Sequence, residues 1–415
     1  MQRGEPESLY ACLRLAAALA LMTIGGSGMY GMAVALAPVQ AEFSAARGEA
    51  SLPYTLMMIG FGLGGILMGK LSDRFGVVVP VVIGAVSLGS GFVLAGLSAS
   101  LWQFSLVHGV LIGLLGCSAT FAPLVADTSL WFNRHRGIAV AICASGNYLA
   151  GAVWPPILQY FFDTAGWRAT YVGTGMFCVG SMLALALLLR RRPPALEAAS
   201  PAKELLVHRE RPLGLSPNAL MILLAVAGVG CCVAMSMPQV HIVAYCGDLG
   251  YGAARGAEML SLMLGFGIVS RLASGWISDH IGGLRTLLLG SMLQGIALLL
   301  FLPFDGLVSL YIVSALFGLF QGGIVPSYAL IVREHFKPGE AGTRLGVILM
   351  ATLFGMALGG WMSGAIFDLT GSYRAAFING LAFNLVNLSI AFWLLRRVRT
   401  SASGIRTAQG RPSRA

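Results

Sequence analysis

The sequence predicts an all-α integral membrane protein, with twelve transmembrane helices in two pseudo-symmetric six-helix halves. Three observations carry that prediction. The chain has 415 residues, of which 57% are hydrophobic and only 11% charged, and its mean hydropathy is +0.79; a soluble domain is about 25% charged. Apolar runs of roughly 20 residues, the length needed to cross a bilayer, recur along the whole chain. An eight-residue string occurs twice, as GKLSDRFG from Gly69 to Gly76 and as GWISDHIG from Gly275 to Gly282, an offset of 206 (Gly69 to Gly275). A fixed offset of this kind marks internal duplication.

The apolar runs number twelve, at approximately 12–37, 50–69, 77–97, 102–127, 137–162, 167–190, 217–246, 254–278, 285–303, 306–332, 343–367 and 374–395. Only helices and closed barrels satisfy every backbone group inside hydrocarbon. Barrel strands alternate in polarity, whereas these runs are continuous, so helices are expected. A second echo supports the duplication: Asp163-Thr-Ala-Gly-Trp-Arg168 against Asp368-Leu-Thr-Gly-Ser-Tyr-Arg374. Residues 1–190 and 217–398 form the two halves. The polar stretch 191–216, rich in proline and basic residues, reads as a linker, and 399–415 as a disordered tail.

The net charge of +10 is a matter of topology, not of nucleic acid. Basic residues collect on alternate loops: Lys70, Arg74, Arg134, Arg136, Arg190–Arg192, Lys203, Arg209, Arg211, Arg285, Arg333 and Lys337. The other loops hold only Arg47, Arg168, Arg255 and Arg374, matched by acids. Positive loops face the cytoplasm. A multi-pass protein of the cell membrane follows, in a bacterial inner membrane, with both termini cytoplasmic. Arg14 before an apolar stretch resembles a signal peptide, but the run is too long and Pro38 follows it directly, so this segment is read as a retained span. The seven cysteines lack CxxC spacing and read as packing residues.

GKLSDRFG resembles the loop motif G-x-L-x-D-R-x-G of the major facilitator superfamily, and two six-helix halves with a basic linker resemble its architecture. A narrower resemblance is carried by Trp131-Phe-Asn-Arg-His-Arg-Gly-Ile-Ala139 leading into Gly146 and Gly151, by Arg271 in GIVSRLASGWISD, and by Tyr30 with Ala37-Pro38-Val39. These are similar to monocarboxylate transporters and the oxalate–formate antiporter. The resemblance implies a cytoplasmic latch built from Gly69, Asp73, Arg74, Gly76 and Asp279, with Arg134 or Arg136. A loop carboxylate suits that task because it caps a helix N-terminus and pairs with a guanidinium. His280 replaces the arginine of the second copy.

Arg271 is the candidate at the centre. It lies eight residues before Asp279, about 12 Å along a helix, near mid-membrane, where an arginine costs roughly 2.5–3.5 kcal/mol. No other Lys or Arg is read as lying so deep. Its permanent charge and planar fork match a carboxylate. The bland alternative is a structural ion pair, for which Asp127 and Glu258 are the available acids. The antiporter's second cation, in the eleventh span, has no counterpart in LGVILMATLFGMALGGWMSGAIF, so a second carboxylate would be left unpaired at a cost, and a monocarboxylate is favoured. Tyr30, Asn147, Tyr148, Phe121, Gln321 and Tyr328 are further candidates for the cavity wall, each equally readable as helix–helix glue. His241 is the candidate for substrate contact and proton coupling, against a reading as a packing histidine.

The sequence thus predicts a secondary active transporter of small organic anions, working by alternating access without a cofactor, within the lipid bilayer as a monomer, with protons as candidate coupling partners. An exporter of other amphipathic molecules and a non-transporting anion sensor remain the alternatives. No H-E-x-x-H or G-x-S-x-G motif appears, so an enzyme is not expected.

Overall fold

A computed structural model describes residues 7–132, 134–191 and 215–409. The linker prediction falls almost wholly on residues outside that set. Among the described residues, twelve spans are long and apolar enough to cross a membrane: α1 (Leu9–Glu42), α2 (Arg47–Phe75), α3 (Val78–Gly96), α4 (Leu101–Trp131), α5 (Gly137–Ala165), α6 (Trp167–Leu189), α7 (Pro217–Asp248), α8 (Ala253–Ile281), α9 (Gly283–Leu300), α10 (Leu307–His335), α11 (Gly342–Thr370) and α12 (Tyr373–Val398). The twelve-helix prediction holds, and the spans run a few residues past the apolar cores. One difference concerns the tail. The helix of α12 continues to Gln409, where the sequence reads as disordered from 399; 410–415 lie outside the described residues.

The duplicated octapeptides do the same job in each half. Gly76 ends α2 at φ 82° and Gly282 ends α8 at φ 83°, a backbone region that side chains with a Cβ resist. Each lets the chain turn at once into the next span. The second echo repeats this at the opposite membrane face, where Gly166 (φ 81°) and Gly371 (φ 65°) end α5 and α11.

Several spans are not uniform helices. In α1 the α-helix stops at Gly25 and resumes at Ser27. In α4 a π-helical stretch His108–Gly116 leads into a 3-10 turn Cys117–Thr120 before α-helix resumes at Ala122. The two breaks meet, since the Cys117 thiol donates to the Gly25 carbonyl at 3.2 Å. In α10 the helix stops at Gln321 and resumes at Ile324. Gln321 lies 204 positions after Cys117, so the interruptions of α4 and α10 sit at nearly corresponding places in the two copies.

The halves meet through α2 against α11 and α5 against α8, with α1 touching α7. The α2–α11 seam is closed at one end only. Arg47 N–H donates to Asp368 Oδ1 at 2.7 Å and Gly48 N–H to Asp368 Oδ2 at 2.6 Å. A Cβ added at Gly364 would stand 2.8 Å from the Arg47 carbonyl oxygen. At the other end of the same two helices, a Cβ at Gly65 or Gly346 would meet nothing within 4 Å. The halves are drawn together at the face bearing Arg47 and splayed at the face bearing the octapeptides.

Candidate functional site

Between the halves lies a cavity of about 410 Å³. Its wall comes from α1, α2, α4 and α5 on one side and α7, α8, α10 and α11 on the other. Each repeat therefore contributes its first, second, fourth and fifth spans. Gly65 and Gly346 are in that wall, which puts the cavity in line with the splayed end of the seam.

Arg271 lines the cavity from α8. Its guanidinium sits 4.4 Å from the centroid of the Tyr148 ring, a cation–π contact with a residue of the opposite half. One terminal nitrogen, Nη1, donates to the Ala144 carbonyl oxygen of α5 at 3.0 Å. Close packing makes these contacts possible: Gly267, one turn earlier on α8, faces the Tyr148 ring, and a Cβ there would lie 2.4 Å from it. Nε is buried and has no hydrogen-bond partner. Among the described residues no Asp or Glu forms an ion pair with Arg271. Both acids that sequence allowed as partners are engaged elsewhere. Asp127 pairs with Arg14, and Glu258 pairs with Arg255 while accepting from the Tyr311 hydroxyl. A buried donor without an acceptor is costly, so the Arg271 fork presents unused capacity for an anion.

Of the other expected wall residues, Tyr30, Asn147, Tyr148 and Phe121 line the cavity. Tyr30 hydroxyl donates to Asn147 Oδ1 at 2.9 Å, so these two form one polar patch within the N-terminal half. Three residues lie outside the cavity wall. His241 is fully buried away from the cavity; its Nε2 lies 2.8 Å from the Gly360 carbonyl and its Nδ1 3.2 Å from the Tyr373 hydroxyl. It belongs to the closed end of the molecule, where both ring nitrogens are occupied. Tyr328 is also fully buried, donating to Asn387 Oδ1 at 3.1 Å, and joins α10 to α12. Gln321 is buried at the break in α10, outside the cavity wall, with neither amide atom partnered.

The wall also contains residues that the sequence reading missed: Met29, Phe61, Ser118, Cys232, Met235, Gln239, Met350, Thr352 and Met356. A signal for some of them existed. Cys232, Met235 and Gln239 fall on one face of α7 at helical spacing, as do Gly346, Met350, Leu353 and Met356 on α11. Such stripes are indistinguishable from core packing until the partner half is placed.

A second arginine is buried inside a span, nearer its end: Arg14 lies five residues past the start of α1. Arg14, in α1, is 3% exposed and makes a bidentate pair with Asp127, Nε to Oδ2 at 2.7 Å and Nη2 to Oδ1 at 2.8 Å. Its guanidinium also covers the Trp131 ring at 4.6 Å. Unlike Arg271, Arg14 is fully neutralised and lines no part of the cavity.

The residues expected to form a latch are not joined to one another by ion pairs among the described residues. Asp73, Arg74, Gly76 and Asp279 are exposed, and Gly69 is half-buried. Among the described residues none of the three charged ones forms an ion pair. Arg74 lies over the Phe75 ring at 5.1 Å. The Arg134 backbone N–H donates to Glu7 Oε1 at 2.6 Å. The Arg136 side chain lies outside the described residues. The opposite end carries a network that the sequence reading missed: besides the Asp368 contacts, Arg47 Nη1 donates to the Tyr373 hydroxyl at 2.8 Å and pairs with Asp248 at 3.1 Å.

Comparison with known proteins agrees with this architecture. The family described as Major Facilitator Superfamily matches residues 16–309 and 259–414. The chain is 28% identical over 335 residues to monocarboxylate transporter 13 of Bos taurus, covering 78% of this chain and 75% of that one. It is 27% identical over 344 residues to the uncharacterized MFS-type transporter YcxA of Bacillus subtilis, covering 81% and 83%. Among solved structures, the nucleoside transporter NupG superposes with a TM-score of 0.71 at 14% identity, covering 94% of this chain and 99% of that one. A bacterial homolog of the human lysosomal transporter Spinster, inward-facing and occupied, gives 0.66 at 17%, covering 99% and 100%. With its duplicated six-helix halves, central cavity and octapeptide turns, the chain belongs to the Major Facilitator Superfamily and resembles that superfamily's monocarboxylate transporter branch.

Proposed function

We propose that this protein is a secondary transporter of small organic anions, with monocarboxylates as the favoured class, and that Arg271 is the group that binds the carboxylate. The observation that carries this reading is the state of that guanidinium: in the wall of the inter-half cavity, without an acid, with its buried Nε unused. A carboxylate offers two oxygens to the planar fork, and bidentate pairing adds geometric selectivity to charge. The similarity to monocarboxylate transporter 13 points the same way.

In this reading the face bearing the octapeptides is cytoplasmic, and the cavity is open to it. Alternating access would exchange one closure for the other. The Arg47–Asp368–Asp248 contacts would part as the octapeptide loops, with Asp73, Arg74 and Asp279, close against the opposite half together with Arg134 or Arg136. His241 has no place in substrate binding here, because both its nitrogens are occupied outside the cavity. An exporter of organic cations fits less well, since no Asp or Glu is among the described residues lining the wall.

The test is a thermal-shift and uptake comparison of wild type with Arg271→Ala and Arg271→Lys. Losing a charge-assisted hydrogen-bond pair costs about 1.5–3 kcal/mol, so monocarboxylate affinity should fall by roughly tenfold or more while the variants remain monodisperse. Wild-type uptake by Arg271→Ala in vesicles would refute the assignment.

A further inference from the structure

We infer that the site is built for amphipathic monocarboxylates, in which one carboxylate is carried on an aromatic or comparably bulky apolar body, and not for acids of two or three carbons. This rests on the reading above, in which Arg271 holds the carboxylate.

The first support is charge. Among the described residues lining the cavity, Arg271 is the one Arg, Lys, His, Asp or Glu. A second charge on the substrate, of either sign, would meet no counter-charge in a low-dielectric cleft and would be expensive to bury. The polar contacts are concentrated as well. Tyr30 and Asn147 bond to each other, and Tyr148 stacks under the guanidinium.

The second support is size. A cavity of about 410 Å³ falls within the range of about 300–1,000 Å³ that encloses drug-sized ligands. A three-carbon acid on Arg271 would leave most of that space to water against apolar walls.

The third is the chemistry of those walls. Phe61 of α2 and Phe121 of α4 meet edge to face, with centroids 6.1 Å apart and ring planes at 74°. Phe121 stands at the junction where the 3-10 turn of α4 gives way to α-helix, so an irregular backbone places this ring in the wall. Met29, Met235, Met350 and Met356 add to the apolar part, with Ile66 and Leu353. Aromatic pairs accept a further ring in the same edge-to-face manner. Methionine adapts its shape to varied apolar surfaces. Together they form a compliant compartment that recognises an apolar body by contact area, while Arg271 fixes its charged end.

The experiment uses the full chain, purified and reconstituted in nanodiscs, with four probes: lactate, phenylacetate, phenylacetamide and phenethylamine. Phenylacetate should bind at least about tenfold more tightly than lactate, since burying the ring removes additional apolar area from water. Phenylacetamide and phenethylamine should fail to compete. Phe61→Ala should lower the ratio of phenylacetate to lactate affinity, and the milder Phe61→Leu and Phe121→Leu should lower it in the same direction should the alanine variant fold poorly. Arg271→Ala should lose both acids. Equal or tighter binding of lactate, with both acids lost in Arg271→Ala, overturns the bulky-substrate inference and leaves the carboxylate reading standing. Binding of the amide or amine as tight as that of phenylacetate, or binding of no probe at all, overturns both.

Discussion

Two arginines inside apolar spans have opposite surroundings, and the contrast assigns their roles. Arg14 is saturated by Asp127, the Arg191 carbonyl and the Trp131 ring, so it serves the packing of α1 on α4. Arg271 lines the cavity and keeps a buried Nε without a hydrogen-bond partner. Removing one member of a buried pair strands the other, at about 3–5 kcal/mol, whereas replacing both with apolar groups is close to neutral. Arg14→Ala and Asp127→Ala should therefore each lower the melting temperature markedly, and the double variant Arg14→Leu/Asp127→Leu should recover most of the loss. Equal melting temperatures for wild type and Asp127→Ala would contradict this account. Arg271 was legible in the sequence because its depth follows from counting back to Asp279 along one helix. The Arg14–Asp127 pair was not, because its members are 113 positions apart and nothing local ties α1 to α4. The surroundings of His241 were not legible for a related reason. Its position along α7 is readable, but the face it presents is set by α11 and α12, which supply Gly360 and Tyr373.

At the level of helices, α2 and α11 do different work at their two ends. At the end near Arg47 they approach so closely that a methyl group at Gly364 would crowd the Arg47 carbonyl. Asp368 accepts two backbone N–H groups at the start of α2, an arrangement that suits a carboxylate at a helix N-terminus. Asp368→Asn and Gly364→Val weaken this closure by separate routes, one by loss of charge and one by bulk. Both should shift the molecule toward separation at that face. Spin labels on Ala99→Cys and Asp305→Cys, in a chain whose native cysteines are replaced, should report a longer mean distance in both variants. An unchanged distance distribution in Asp368→Asn would show that the closure does not depend on this contact. The sequence echo that includes Asp368 marked the turn at Gly371, but its first copy misleads about the carboxylate: Asp163 accepts from Gln159 in its own helix. The duplicated sequence preserves the turn and lets the acid diverge in use.

Across the whole molecule, the arrangement into twelve spans was readable because apolar length alone sets it, and the octapeptides fixed where each half turns. The cavity was only partly readable. Its wall draws on eight spans from two halves, and stripes such as Cys232, Met235 and Gln239 acquire meaning only when the halves face each other across open space. The distribution of basic loops predicts that the octapeptide face is cytoplasmic. A fluorescent protein fused after Ala415 should mature and fluoresce, and alkaline phosphatase at the same place should be inactive; active phosphatase would invert the topology and with it the direction in which the cavity opens. The grip of Asp368 on two main-chain amides also bears on how such a carrier tolerates mutation over time. Backbone donors exist whatever side chain other than proline stands at position 47, so exchanges there leave that part of the grip in place. Loss of the acid across the seam removes it at a single step. Genetic drift on this face should therefore spare the acceptor before it spares the donors, and a suppressor of a damaged Asp368 should arise as a new acid nearby in the C-terminal half.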